Sequence, residues 1–109
     1  MRGMKLWNKL QWYESKAFIY LKKGFLIAMF GKIPNTLYYT LKAGKDRVYV
    51  FFSNRRKKGM NKVIIYKSKY IVSIKISILR KIGVEDYKKY KYKISMFPKG
   101  IVVDFKKSR

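Results

Sequence analysis

Lys69–Tyr–Ile–Val–Ser–Ile–Lys–Ile–Ser–Ile–Leu–Arg–Lys–Ile–Gly–Val84 reads as a strand that runs straight into one turn of helix. Alternation sets Tyr70, Val72, Ile74 and Ile76 on one face and Ser73, Lys75 and Ser77 on the other. Ser77 stands at the N-cap position, and Ile78 and Ile82 are spaced to bury together. Gly83 can close the turn in the left-handed conformation. Arg80 and Lys81 are left pointing outward, either toward a polyanion or as a solvated helix face.

Outward from this stretch, strands are expected at Lys62–Tyr66, Tyr90–Phe97 and Ile101–Phe105, with a turn at Pro98–Lys99–Gly100. The order from residue 61 is strand, strand, helical turn, strand, strand. Toward the N-terminus, Ala17–Leu21, Phe25–Phe30 and Arg47–Ser53 also read as strands, Leu37–Leu41 as a turn of helix and Lys42–Asp46 as a loop. Leu6, Leu10 and Tyr13 lie at helical spacing, so residues 1–15 form an arm or short helix. The basic connector Asn54–Gly59, with Arg55, Arg56, Lys57 and Lys58, separates a unit at 16–58 from one at 60–109. The fold class is mainly β with short helical turns. A unit of this size buries little alone and needs a partner.

The 28 Lys and Arg residues face 5 acids, a formal charge of +23, and 49% of the chain is hydrophobic. Self-repulsion at that charge destabilises a compact state, so an anionic partner is expected. Fourteen bases fall in residues 1–60 and 14 in 61–109, which points to a basic folded surface rather than a charged tail. Nucleic acid is the first candidate, then anionic lipid, then an acidic protein. Ten Tyr, seven Phe and two Trp either stack on bases or fill strands.

Cysteine and histidine are absent, which removes disulfides, thiolate or imidazole metal sites and histidine-dependent triads. Glu14, Asp46 and Asp104 are scattered and the adjacent pair Glu85–Asp86 reads as a turn after the helix, so neither catalysis, a metal nor a cofactor is expected. The longest uncharged run, Gly24–Gly31, has eight residues, against the roughly 20 that a helix needs to cross a bilayer. No signal peptide is legible, so a cytoplasmic, nucleoid-associated location is expected.

Ile74–Lys–Ile–Ser–Ile–Leu–Arg–Lys–Ile–Gly–Val84, with the hairpin after it, resembles the AbrB/MazE/SpoVT family of swapped-hairpin transcription factors over residues 61–107. That family's pattern is a strand ending in Ile-Pro, a short basic helix closing in Leu-Gly-Ile, then a hairpin. Lys75 stands where proline is usual, and Glu85–Asp86–Tyr87 replaces the usual Gly-Asp. The resemblance implies a double-stranded DNA-binding transcriptional regulator. Its fold would be a small swapped-hairpin barrel of two interleaved units, as a homodimer or as a tandem pseudo-dimer within one chain. Arg80 matches a helix arginine of the family, and Lys67 and Lys69 fall in its basic first loop. Lys75, Lys81 and Arg55–Lys58 join them as DNA-binding candidates by charge and location.

Lys23–Gly24, Phe25–Phe30, Ile33–Pro34, Leu37–Leu41, Gly44, Asp46 and Val48–Val50 echo the same family order as a degenerate second copy. Met60 reads as an alternative start of a 50-residue protein. Three other readings stay open. An antitoxin of a toxin–antitoxin pair would share the operator-binding unit, although such proteins commonly carry an acidic tail. An RNA-binding β protein would use the same charge and aromatics. A peripheral membrane protein would use Lys16–Lys32 as a cationic apolar segment.

Overall fold

The computed structural model describes residues 7–67 and 69–107. The expectations for residues 1–6, including Leu6 in the arm, lie outside the described residues. The chain runs β1 (Asn8–Lys9), β2 (Gln11–Tyr13), β3 (Lys16–Leu21), α1 (Lys23–Phe30), β4 (Tyr38–Gly44) and β5 (Arg47–Ser53). It continues β6 (Asn61–Lys62), β7 (Ile64–Tyr66), β8 (Lys69–Lys75), α2 (Ile76–Lys81), a 3-10 turn (Tyr87–Lys89), β9 (Tyr90–Phe97) and β10 (Gly100–Lys107). Mainly β with short helices is therefore the fold class.

The strand-helix corner forms, but earlier than the alternation predicts: Ile76, assigned to the strand face, is already helical. Helix α2 starts at Ile76, its N-cap is Lys75, and no side chain caps it, so Ser77 does not serve that role. Gly83 does take the left-handed conformation, at φ 91°. Its N–H donates to Arg80 O at 3.1 Å and that of Val84 to Leu79 O at 2.9 Å, a pair of bonds that satisfies two orphan carbonyls. Leu79 and Ile82 are the buried anchors, while Ile78 is half-buried.

Four N-terminal expectations are corrected. Phe25–Phe30 is helical within α1, closed by Gly31 at φ 77°, whose N–H donates to Ile27 O at 2.7 Å. A short apolar run carries no period that separates strand from helix, and the glycine stop was the decisive signal. Residues 8–13 are extended rather than helical, because Leu10 turns into the core and Trp12 packs against it at a strand's two-residue period, while the segment pairs with β9 and β3. Leu37–Leu41 lies mostly in β4, with Tyr39 inside the strand and Leu37 just before it buried at a two-residue period. That strand runs on to Gly44, so the expected loop shrinks to a turn with Asp46 at φ 59°.

All strand pairs are antiparallel. One sheet has the order β1-β9-β10-β5-β4-β6 and the other β2-β3-β8-β7. At buried Leu10 the chain passes from β1 in the first sheet to β2 in the second, and at buried Val63 it passes likewise from β6 to β7. Strands that switch sheets at corners join the two sheets along both margins, so the strand order returns to its start. The expected boundary at Asn54–Gly59 is an exposed connector, but the segments on either side of it are woven into the same two sheets.

The register repeats. Asn8 faces Tyr92 and Lys9 faces Lys91, while Asn61 faces Tyr39 and Lys62 faces Tyr38. Each residue of the second set lies 53 positions from its counterpart (8 to 61, 39 to 92). The same displacement relates Ile19 to Val72 and Tyr49 to Val102, which are themselves paired across β3–β8 and β5–β10. Pairing between counterparts is what a two-fold axis through those points produces. The core obeys it: Leu10 and Val63, Leu21 and Ile74, Leu26 and Leu79, Val48 and Ile101, and Val50 and Val103 are all buried.

Candidate nucleic-acid interface

Where a corner strand leaves one sheet, the strand it abandons needs a substitute partner. Ile76 N–H donates to Ser15 O, which fixes the parity of β8: alternate residues bond β3, and Ser73 and Lys75 present their backbone groups to the other side. Strand β7 pairs with Ile71 but does not extend to Ser73, because Lys62 has joined β4. The Tyr39 hydroxyl fills the gap. It accepts from Ser73 N–H at 3.0 Å and donates to Ser73 O at 2.9 Å. At the counterpart corner, Tyr20 N–H donates to the Tyr92 hydroxyl at 3.5 Å. Burial raises both phenols above the usual tyrosine range, opposed by these backbone bonds.

Above each tyrosine the divergence of strands opens a cleft. The first, about 520 Å³, is lined by Lys16, Lys62, Lys75 and Asn61 over Tyr39 and Ser73. The second, about 650 Å³, is lined by Lys69, Lys9, Lys22, Lys23 and Asn8 over Tyr92 and Tyr20. Six of these lining positions correspond by the 53-residue displacement: Asn8 and Asn61, Lys9 and Lys62, Lys16 and Lys69, Lys22 and Lys75, Tyr20 and Ser73, Tyr39 and Tyr92. All the named lysines are exposed. Next to the first cleft, Arg80 of α2 lines a shallower one of about 380 Å³ with Ser15, Lys16 and Lys75. Arg80, Lys75, Lys16 and Lys62 therefore follow one another along a continuous basic groove.

The sequence-predicted residues separate into three groups. Arg80 and Lys75 meet in that groove, and Lys69 lies in the counterpart cleft. Lys81 is exposed in the last turn of α2, and Lys67 occupies the β7–β8 turn at φ 57° with its ammonium 5.5 Å from the Tyr66 ring centre. Arg55, Arg56, Lys57 and Lys58 are exposed in the connector and line neither cleft. Lys9, Lys16, Lys22, Lys23 and Lys62 were missed. The signal for Lys9, Lys16 and Lys62 was the pattern Asn-Lys-x-x-x-Tyr-x-Ser-Lys, which occurs at residues 8–16 and again at 61–69; Lys22 and Lys23 lie outside it.

Among the described residues, no three Asp or Glu side chains gather where they could hold a metal ion. No helix among them is long and apolar enough to cross a membrane. No protein-family model, curated protein or solved structure matches the chain.

Proposed function

We propose that this chain binds double-stranded DNA as a tandem pseudo-dimer of AbrB type and acts as a transcriptional regulator. Each half contributes a hairpin, a short helix and a second hairpin, and the hairpins of the two halves interleave into one swapped-hairpin barrel. The observation that carries the reading is the recurrence of three lysines at corresponding positions of two clefts. The backbones of a duplex are related by two-fold axes, so a protein with matching symmetry offers the same cations to both strands. Lysines supply phosphate affinity, and Arg80, at the end of the groove, supplies a donor fork suited to a base edge.

The strand-helix corner supports the family resemblance despite its missing proline. Lys75 adopts φ −64° and ψ 146°, the conformation proline itself would take. Its N–H faces away from β3, so a proline there would cost no bond to that strand. Sequence thus replaces the ring by a cation without altering the corner.

The test is competition in fluorescence anisotropy, with a labelled random-sequence duplex displaced by unlabelled duplex, single-stranded DNA or double-stranded RNA of equal length. Duplex DNA should compete at the lowest concentration, by about tenfold. Stronger competition by RNA or single strands would replace this reading with an RNA- or single-strand-binding one.

A further inference from the structure

The two ends of the molecule are alike in fold and unlike in chemistry. Leu26 and Leu79 are corresponding buried anchors of α1 and α2, and the residues that follow them face outward at both ends. After Leu79 these are Arg80 and Lys81; after Leu26 they are Ile27, 48% exposed, and Ala28. No charged residue occurs anywhere in Gly24–Gly31, although more than a quarter of the chain is Lys or Arg. Both clefts keep their lysines and α1 begins with Lys23, so the loss of charge is confined to the positions that correspond to Arg80 and Lys81.

We infer that the chain sits on DNA in one orientation, on a site that is not a palindrome. This rests on the duplex-binding reading. Both ends hold phosphates, which position the protein without reporting sequence. The α2 end adds a guanidinium, which can bond a guanine edge with two donors and discriminate it roughly tenfold to a hundredfold from other bases. The α1 end places an isoleucine and an alanine at the corresponding positions and has no donor there. Sequence is therefore read by bonds under α2 alone, and the half-site under α1 is held with little preference.

The experiment selects duplexes from a random-sequence pool with the full chain, then locates the protein on the enriched site. The chain has no cysteine, so Ala28→Cys gives a single attachment point for an iron chelate that cleaves nearby DNA. Expected are an enriched sequence with information in one half only and cleavage on one flank, at least about tenfold above the other. Ile27→Arg with Ala28→Lys should turn the selected sequences into palindromes. A palindromic site for the unaltered chain, or equal cleavage on both flanks, overturns the inference. So does tight, salt-sensitive binding with no enriched sequence, which leaves the duplex-binding reading standing. Failure to retain any duplex removes that reading as well.

Discussion

Replacing Tyr39 by Phe deletes one oxygen and two hydrogen bonds. The hydroxyl stands in for the absent stretch of strand beside Ser73, at 3.0 Å from its N and 2.9 Å from its O. Without it, a backbone donor and acceptor lose their partner in a part-buried place, where each unsatisfied group costs about 1–3 kcal/mol when water is excluded. Partial access of water brings the sum toward the low end, and phenylalanine needs no polar desolvation, so the net loss is about 2 kcal/mol. The counterpart Tyr92→Phe removes one bond at 3.5 Å, the limit of useful length, and should cost about 0.5 kcal/mol. Urea unfolding followed by tyrosine and tryptophan fluorescence measures the difference. With a slope of roughly 1–3 kcal/mol per molar, the two midpoints should lie about 0.5–1.5 M apart, Tyr39→Phe lower. Equal midpoints, or a lower one for Tyr92→Phe, would refute the argument that the hydroxyl replaces a strand.

Glycine substitutions should diverge sharply in thermal melts. A Cβ on Gly100 would overlap the Val50 carbonyl oxygen across β10–β5, so Gly100→Ala should cost about 3 kcal/mol or more, whereas Gly24 in α1 has nothing within 4 Å and Gly24→Ala should gain about 0.5–1 kcal/mol. Lys75→Pro should leave the melting temperature unchanged or raised, because φ already suits proline, while duplex affinity falls with the lost cation; collapse of the fold would contradict the corner geometry. Stability should also drop at high pH. Both buried phenols hold their protons more tightly folded than unfolded, so their contribution is complete below the unfolded value of 10.0 and is lost as pH rises through the raised folded one. A Tyr39→Phe/Tyr92→Phe chain should therefore show a flatter decline above pH 10 than the unaltered chain.

The C-terminal half was legible because its signals agree with one another. Lys69–Lys75 alternates, Gly83 stops a helix, and Pro98–Lys99–Gly100 turns a hairpin whose strands fall where expected. The N-terminal half was misread in the middle, where Gly24–Gly31 is apolar on every side and the position of Gly31 mattered more than any period. That error shifted the internal alignment: Phe25–Phe30 was matched to a strand, although its counterpart is α2. The repeated Asn-Lys-x-x-x-Tyr-x-Ser-Lys pattern would have given the correct displacement directly. Lys16 and Lys62 were not legible as one site from local pattern, since they meet Lys75 only when the corner strand crosses between sheets. The tyrosine corners were likewise invisible, because nothing local distinguishes Tyr39 from the chain's other strand tyrosines.

In the proposed complex, one chain grips both backbones of a duplex through its two clefts. The most direct test is the salt dependence of the affinity for a short duplex, measured together with stoichiometry. In that reading Lys75, Lys16 and Lys62 on one side and Lys69, Lys22, Lys23 and Lys9 on the other are seven cations that meet phosphates, Arg80 being reserved for a base edge. Counterion release then gives a slope of log K against log salt of about −6, with one chain per duplex site. Lys16→Gln with Lys69→Gln, a symmetric pair, should flatten it by about 2. A slope near zero, or a complex that forms only with two chains, would show that one chain does not hold both backbones through its clefts.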